Sequence, residues 1–201
     1  MLQWADREHE DAAFEDVDWT DGELARCAFM RCRFVGATLG ELRATACRFD
    51  ECDFSGARLN AAVFRDCAFT NSLFRGANLF TATFAQCRLF GANFAETNLD
   101  GLSIQGGDWS WANLRHQDLS KQNLRGITFV GTDFYGVNFA KTNLRDCDLR
   151  EANLDGAKLA GADLRGANLE KVDLKGLELN GVRMDIAQAV QFAQCYGVKI
   201  G

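Results

Sequence analysis

Large apolar side chains recur at every fifth residue of this chain. Stepping by five from Phe14 to Met184 visits 35 positions, and 34 of them are Leu, Phe, Ile, Trp or Met; Ala44 is the exception. Thirteen of the 16 Phe lie on this register, and its phase never breaks. An α-helix turns about 100° per residue, so a step of five would spray these side chains around the cylinder. A plain strand alternates its faces, so residues five apart would point in opposite directions. The pattern predicts a chain that turns a corner every five residues, with no insertion loop.

Self-similarity at a fixed period is the mark of a solenoid. The position two before each large residue is mostly small: Ala12, Cys27, Cys32, Ala37, Cys47, Cys52, Ala57. Asn or Asp often stands just before the large residue, as at Asn78, Asn93, Asp118 and Asp163, and Gly often stands two after it. Two inward side chains followed by a turn describe one side of a β-solenoid coil. Gly supplies the positive φ of such turns, and Asn and Asp suit them through local hydrogen bonds. Stacked coils lie about 4.8 Å apart, and each buries its interior only against its neighbours. Cys27, Cys47, Cys67 and Cys87 recur at twenty residues, as do Arg125, Arg145 and Arg165. That spacing points to four sides per coil.

Near the C-terminus the period changes. "DIAQAVQFAQCYG" predicts a helix, with Asp185 as N-cap, Gln188 completing a capping box and Gly197 as the stop. Ile186, Ala189, Val190 and Ala193 form one apolar stripe. Phe192, Tyr196, Val198 and Ile200 add more apolar surface than a lid needs. Ile186, Val190, Phe192, Tyr196, Val198 and Ile200 are therefore the expected dimer interface. Residues 1–11 read as a lead-in strand or loop, with Trp4 in phase and His9 breaking it. The predicted organisation is a lead-in over 1–11, a repeat domain over 12–184 and a helix with a tail over 185–201.

Charge and composition narrow the function. The chain has 28 acidic and 22 basic residues, for a net charge of -6. That argues against direct nucleic-acid binding, whose footprint is basic. No apolar run reaches membrane-spanning length, and the acidic start "MLQWADREHEDAAFEDVDWTD" is unlike a signal peptide. A cytoplasmic protein is expected. Seven of the eight Cys occupy the small inward slot and read as buried apolar fillers. With two His, no P-loop and no G-x-G-x-x-G, the chain shows no catalytic constellation, and no cofactor or metal is expected.

The surface then carries the function. Acids crowd the N-terminal end, which reads either as a solvated end that discourages stacking or as a face for a basic partner. The candidate partner-binding acids are Glu15, Asp16, Asp18, Asp21, Asp50, Glu51, Asp53, Asp100, Asp118 and Asp133. Trp111 points outward and is a candidate contact.

The units "ANLDG", "ADLRG" and "ANLEK" resemble the pentapeptide-repeat family over roughly residues 12 to 186. The resemblance implies an all-β fold, a right-handed quadrilateral β-helix with four five-residue sides per coil, and a short C-terminal α-helix cap. Thirty-five sides would make about nine coils, about 40 Å long. The flanks "QWADRE" and "MDIAQAVQFAQCYGVKIG" resemble the quinolone-resistance branch, of the MfpA and Qnr type. Without projecting loops the chain is closer to MfpA. Members of that branch are C-terminal homodimers that mimic DNA, bind DNA gyrase or the related topoisomerase IV, and inhibit it or protect it from quinolone-like poisons. The resemblance thus implies a role in antibiotic resistance or self-immunity. DNA of that length carries about 24 negative charges, so imitation would have to rest on a local acidic stripe. An Arg125, Arg145 and Arg165 column would make one side basic. A pentapeptide-repeat scaffold for a different protein partner is the open alternative.

Overall fold

The structure is a computed structural model that describes residues 2–199. It divides into two units, one through Asn113 and one from Leu114. In the first unit every centre is flanked by two outward residues, which is as much strand as a five-residue side can hold. Nine such three-residue strands form: β1 (Gln3–Ala5), β2 (Glu8–Glu10), β3 (Glu23–Ala25), β4 (Ala28–Met30), β5 (Arg43–Thr45), β6 (Arg48–Asp50), β7 (Val63–Arg65), β8 (Thr83–Ala85) and β9 (Ser103–Gln105). All pair in parallel, and within each sheet the partners lie twenty residues apart, as in Trp4 with Leu24 and Ala44 with Phe64.

Four twenty-residue ladders define four sides. The first is the six-stranded sheet β1-β3-β5-β7-β8-β9, and the second begins with β2-β4-β6. The third runs through Ala13, Arg33, Asp53, Leu73, Asn93 and Asn113. The fourth runs through Asp18, Thr38, Arg58, Asn78 and Asn98. The interior is a set of aromatic columns. Phe34, Phe54, Phe74 and Phe94 stack at 4.8, 5.1 and 4.9 Å with rings within 6° of parallel. Each buried ring contributes about 1.5–3 kcal/mol of transfer free energy before chain entropy is subtracted.

Of the two forms expected for the lead-in, strand or loop, the described residues 2–11 form strands, β1 and β2. His9 does not break the register. Its imidazole takes an inward place, 5.4 Å above Phe29 and 5.1 Å from Trp4, so a flat aromatic ring serves there as a phenyl would. Trp4, His9, Phe14 and Trp19 thus form an aromatic layer over the first coil.

The turns also differ from expectation. Gly is common two after a centre, but Asp21, Glu41, Trp111 and Lys121 hold the same left-handed conformation, with φ of 54, 57, 60 and 61°. Outside Gly this costs roughly 1–2 kcal/mol per residue, and the ladder bonds on both sides enforce it. One glycine is obligatory for a different reason. Gly107 (φ 98°) fills an inward slot where a Cβ would lie 2.1 Å from the Cys87 carbonyl oxygen.

In the second unit isolated bridges replace named strands, with the same register. The deepest ladder runs through Asn123, Asn143, Asp163 and Arg183. Leu124, Leu144 and Leu164 are buried on that side. The ladders give five twenty-residue steps in the first unit and three in the second, so the coil count differs slightly from the nine expected. Asp173 and Glu178 form no bridge where the coil gives way to the helix. That helix, α1 (Ile186–Cys195), carries the predicted capping box between Asp185 and Gln188.

Candidate protein-docking surface

Because each outward residue stands one rung from the residue twenty later, charges meet across coils. Arg26 grips Asp6 through two bonds of 2.7 Å. Arg31 bonds Asp11 at 2.8 Å and also holds Glu10. Arg33 pairs with Glu15. Hydrogen bonds from these guanidiniums hold the Asp6 and Asp11 carboxyls below the usual carboxylate range. The acidic N-terminal end is therefore largely neutralised from within on three of its sides.

The fourth side is different. Its outward residues include Asp18, Asp21, Glu41 and Asp100 against Arg58, and none of the five makes an ion pair among the described residues. Asp18 accepts hydrogen bonds from the Thr20 hydroxyl (2.6 Å) and amide (3.0 Å), which lower its pKa and keep it ionised. Asp21 and Glu41 stand on consecutive rungs. The Asp21 amide donates to the Gly40 carbonyl and the Glu41 amide to that of Asn60, both at 2.9 Å. Rungs are about 4.8 Å apart, so two carboxylates stack without a counter-ion.

Charge is also divided between the units. Residues 1–113 hold 17 of the 28 acids and 10 of the 22 cations, a net of -7. Residues 114–201 hold 11 and 12, a net of +1. All the excess negative charge belongs to the first unit.

The other candidate acids do not converge. Asp16 is exposed at the turn from the third side to the fourth. Asp50 pairs with Arg48 at 3.2 Å, and Asp53 accepts the Ser55 amide at 2.8 Å. Glu51 is exposed on the second side. In the second unit Asp133 holds Arg115 at 2.9 Å and Asn153 at 3.0 Å. Asp118 there accepts the Ser120 amide at 2.8 Å and the Asn138 amide at 3.1 Å. Glu41 is absent from the sequence-based set, although its signal was available: it lies twenty residues after Asp21. The arginine column is real in register but not basic in effect. Arg125 pairs with Asp146 at 2.8 Å, and Arg165 pairs with Asp163 at 2.6 Å, drawing that carboxyl down to about 2.

The interior slots hold a set of buried thiols. All eight cysteines are free thiols and seven are buried. Burial pushes Cys52 up to about 12 and Cys147 up to about 11, so neither is a thiolate at neutral pH.

The C-terminal residues separate into two roles. Gln188, buried, donates to the Leu164 and Ala167 carbonyls at 2.5 and 2.8 Å, and Gln191 donates to the Leu169 carbonyl at 2.7 Å. Amide groups, rather than the apolar stripe, seat the helix. Tyr196 packs on Phe192 at 5.1 Å, and its hydroxyl accepts the Gly176 amide at 3.2 Å. Val190 and Phe192 are half-buried, whereas Ile186 is 84% and Val198 49% exposed. Ile200 lies outside the described residues.

The repeating unit matches a known sequence family. Its profile, pentapeptide repeats in eight copies, covers residues 45–86, 110–146 and 147–185. The chain belongs to the pentapeptide-repeat family. This pentapeptide-repeat protein shares its fold with trypsin-treated QnrB1, a plasmid-mediated fluoroquinolone resistance protein. The two are 23% identical over 99% of this chain and 100% of that one, with a TM-score of 0.86. Full-length QnrB1 superposes with a TM-score of 0.65 over 95% and 100% of the two chains, again at 23% identity. HetL, a pentapeptide repeat protein involved in heterocyst differentiation regulation from the cyanobacterium Nostoc, is 26% identical over 91% and 89%, with a TM-score of 0.57. A comparison with curated proteins finds no match. No helix of the described residues is long and apolar enough to cross a membrane.

Proposed function

We propose that this pentapeptide-repeat protein acts in the cytoplasm as a non-enzymatic mimic of DNA that docks on DNA gyrase, or on topoisomerase IV. Docking inhibits the enzyme, shields it from quinolone-like poisons, or does both, and so serves antibiotic resistance or self-immunity. The observation that carries this reading is the fourth side of the first unit, where Asp18, Asp21, Glu41 and Asp100 make no ion pair among the described residues. The likeness in fold to QnrB1 supports it.

The chemistry required is modest. A groove built to hold DNA presents cations to phosphates, and a rigid line of carboxylates can occupy the same cations. Rigidity matters because docking then orders few side chains. Such complementarity sets encounter rate and salt sensitivity more than residence time. The protein binds as a homodimer through its C-terminal end, where Ile186 and Val198 are left uncovered.

A supercoiling assay with purified gyrase tests the reading, run with and without a fluoroquinolone at two salt concentrations. Inhibition, or rescue from the drug, that weakens as salt rises is expected. Absence of inhibition, rescue and binding to either gyrase subunit would reject it in favour of a scaffold for another protein.

A further inference from the structure

The second-to-third corner of the first unit combines exposed aromatic groups with carboxylates. Along this corner the Glu51 amide donates to the Thr70 carbonyl, that of Asn71 to Phe90 and that of Gly91 to Ser110, at 2.7, 2.8 and 3.0 Å. These bonds set Glu51, Asn71, Gly91 and Trp111 on successive rungs. Beside them Asp53 bridges to Leu73. Leu73, Phe90 and Trp111 are 42%, 42% and 52% exposed. Three of the four large apolar residues exposed in this unit therefore share one corner; Phe80, on the fourth side, stands apart. Gly91 puts no side chain between Phe90 and Trp111, and the Asn71 side-chain oxygen fills the place beside it, 2.2 Å from where a Cβ would stand. Glu51 and Asp53 make no ion pair among the described residues.

Single exposed apolar residues need no explanation, but a group of them edged by charge does. The fourth side, with four carboxylates against Arg58 and a single exposed ring, Phe80, offers encounter with little anchor. Buried aromatic groups supply most of the hold in protein interfaces. We propose that this corner anchors a segment of a partner protein that carries arginine next to an apolar side chain. The guanidinium meets Glu51 and Asp53 or stacks on the Trp111 ring, and the apolar group covers Leu73 and Phe90. An anionic lipid surface is disfavoured, because the carboxylates would face like charge. The anchor does not depend on gyrase being the partner.

The test uses the full chain and a fluorescent eight-residue peptide of alternating arginine and leucine, read by anisotropy. Saturable binding is expected. Phe90→Ser with Trp111→Ser, and separately Glu51→Gln with Asp53→Asn, should each weaken it at least tenfold, with far-UV melting curves unchanged. A charge-matched control, Asp155→Asn with Glu178→Gln in the second unit, should leave it within twofold. A peptide of alternating arginine and serine should bind at least tenfold more weakly. Equal binding of the two peptides, indifference to the corner variants, or an equal loss in the control would overturn the proposal. So would wild-type self-association in sedimentation velocity that Trp111→Ser abolishes. Gyrase supercoiling is a separate readout, so failure of the anchor and failure of the gyrase reading remain distinguishable.

Discussion

Asp6 and Arg26 stand one rung apart on the first side and share two hydrogen bonds of 2.7 Å, Nε to Oδ1 and Nη2 to Oδ2. Two rungs of chain are stapled there by a pair that the sequence separates by twenty residues. Arg31 with Asp11 repeats the arrangement on the second side. Local charge counts cannot see such pairs, so part of an acidic stretch of sequence is neutralised on the folded surface.

Acid should therefore loosen the first coil. The folded pKa values of Asp6 and Asp11 lie below their ordinary value, chiefly through hydrogen bonds from Arg26 and Arg31. Depressed carboxyls stabilise the fold above the unfolded value of about 3.9, and that contribution is lost as pH falls through the folded values. The melting temperature should be flat from neutral pH down to about 5 and decline below about 4. The Arg26→Ala variant should show a shallower decline. Thermal circular dichroism across this range checks both, and a stability maximum in acid would contradict them.

The fourth side should govern association. Replacing Asp18 and Asp21 by Asn and Glu41 by Gln removes three carboxylates that have no ion pair to lose, and the Asn oxygen at position 18 can still accept from Thr20. The association rate with gyrase at low salt should fall at least tenfold, and its dependence on salt should flatten. Stability should hold or rise slightly, because stacked like charges are relieved. Glu10→Gln, which removes a carboxylate already held by Arg31, should change the rate little. Stopped-flow association at several salt concentrations makes the comparison.

The contrast between these two groups of acids shows what was legible in the sequence. The period of five named nearly every buried centre, because one large inward residue per side is a local requirement. The capping box at Asp185 and Gln188 was readable for the same reason. Which acids remain free is not local: it depends on what stands one rung away. Glu15 is spent on Arg33, while Glu41 stacks unopposed on Asp21. His9 was misjudged because polarity was weighed above shape, and a ring that can lie flat on Phe29 fits the column. Tyr196 is 55% exposed, and its bond to the Gly176 amide is not legible in the sequence because it spans the junction of coil and helix, where no period applies.

The aromatic column should be the costliest place to cut. Phe54 is 1% exposed and lies between Phe34 and Phe74 at 4.8 and 5.1 Å. Phe54→Ala leaves a cavity that neighbouring coils cannot close without breaking their ladders. A loss of about 3–5 kcal/mol is expected in equilibrium urea unfolding. Phe80→Ala, at a side chain 50% exposed, should fall within about 0.5 kcal/mol of wild type. Similar losses at both positions would mean that the columns do not carry the fold.

The C-terminal helix separates seating from association. Gln188 is 4% exposed; its amide nitrogen serves two carbonyls of the last coils and its oxygen accepts the Asp185 amide. Gln188→Leu strands the Ala167 carbonyl, at a cost of about 1–3 kcal/mol, and leaves that of Leu164 with the Ala167 amide alone. Amide exchange over residues 186–195 should accelerate as the helix lifts, and the proposed dimer should dissociate with it. Ile186→Asp touches none of these bonds, since that side chain is 84% exposed. Exchange there should stay slow while sedimentation shifts to the monomer. A variant that dissociates without faster exchange assigns the interface to the outer face of the helix. A dimer that survives Ile186→Asp but not Gln188→Leu would move the interface onto the coils beneath it.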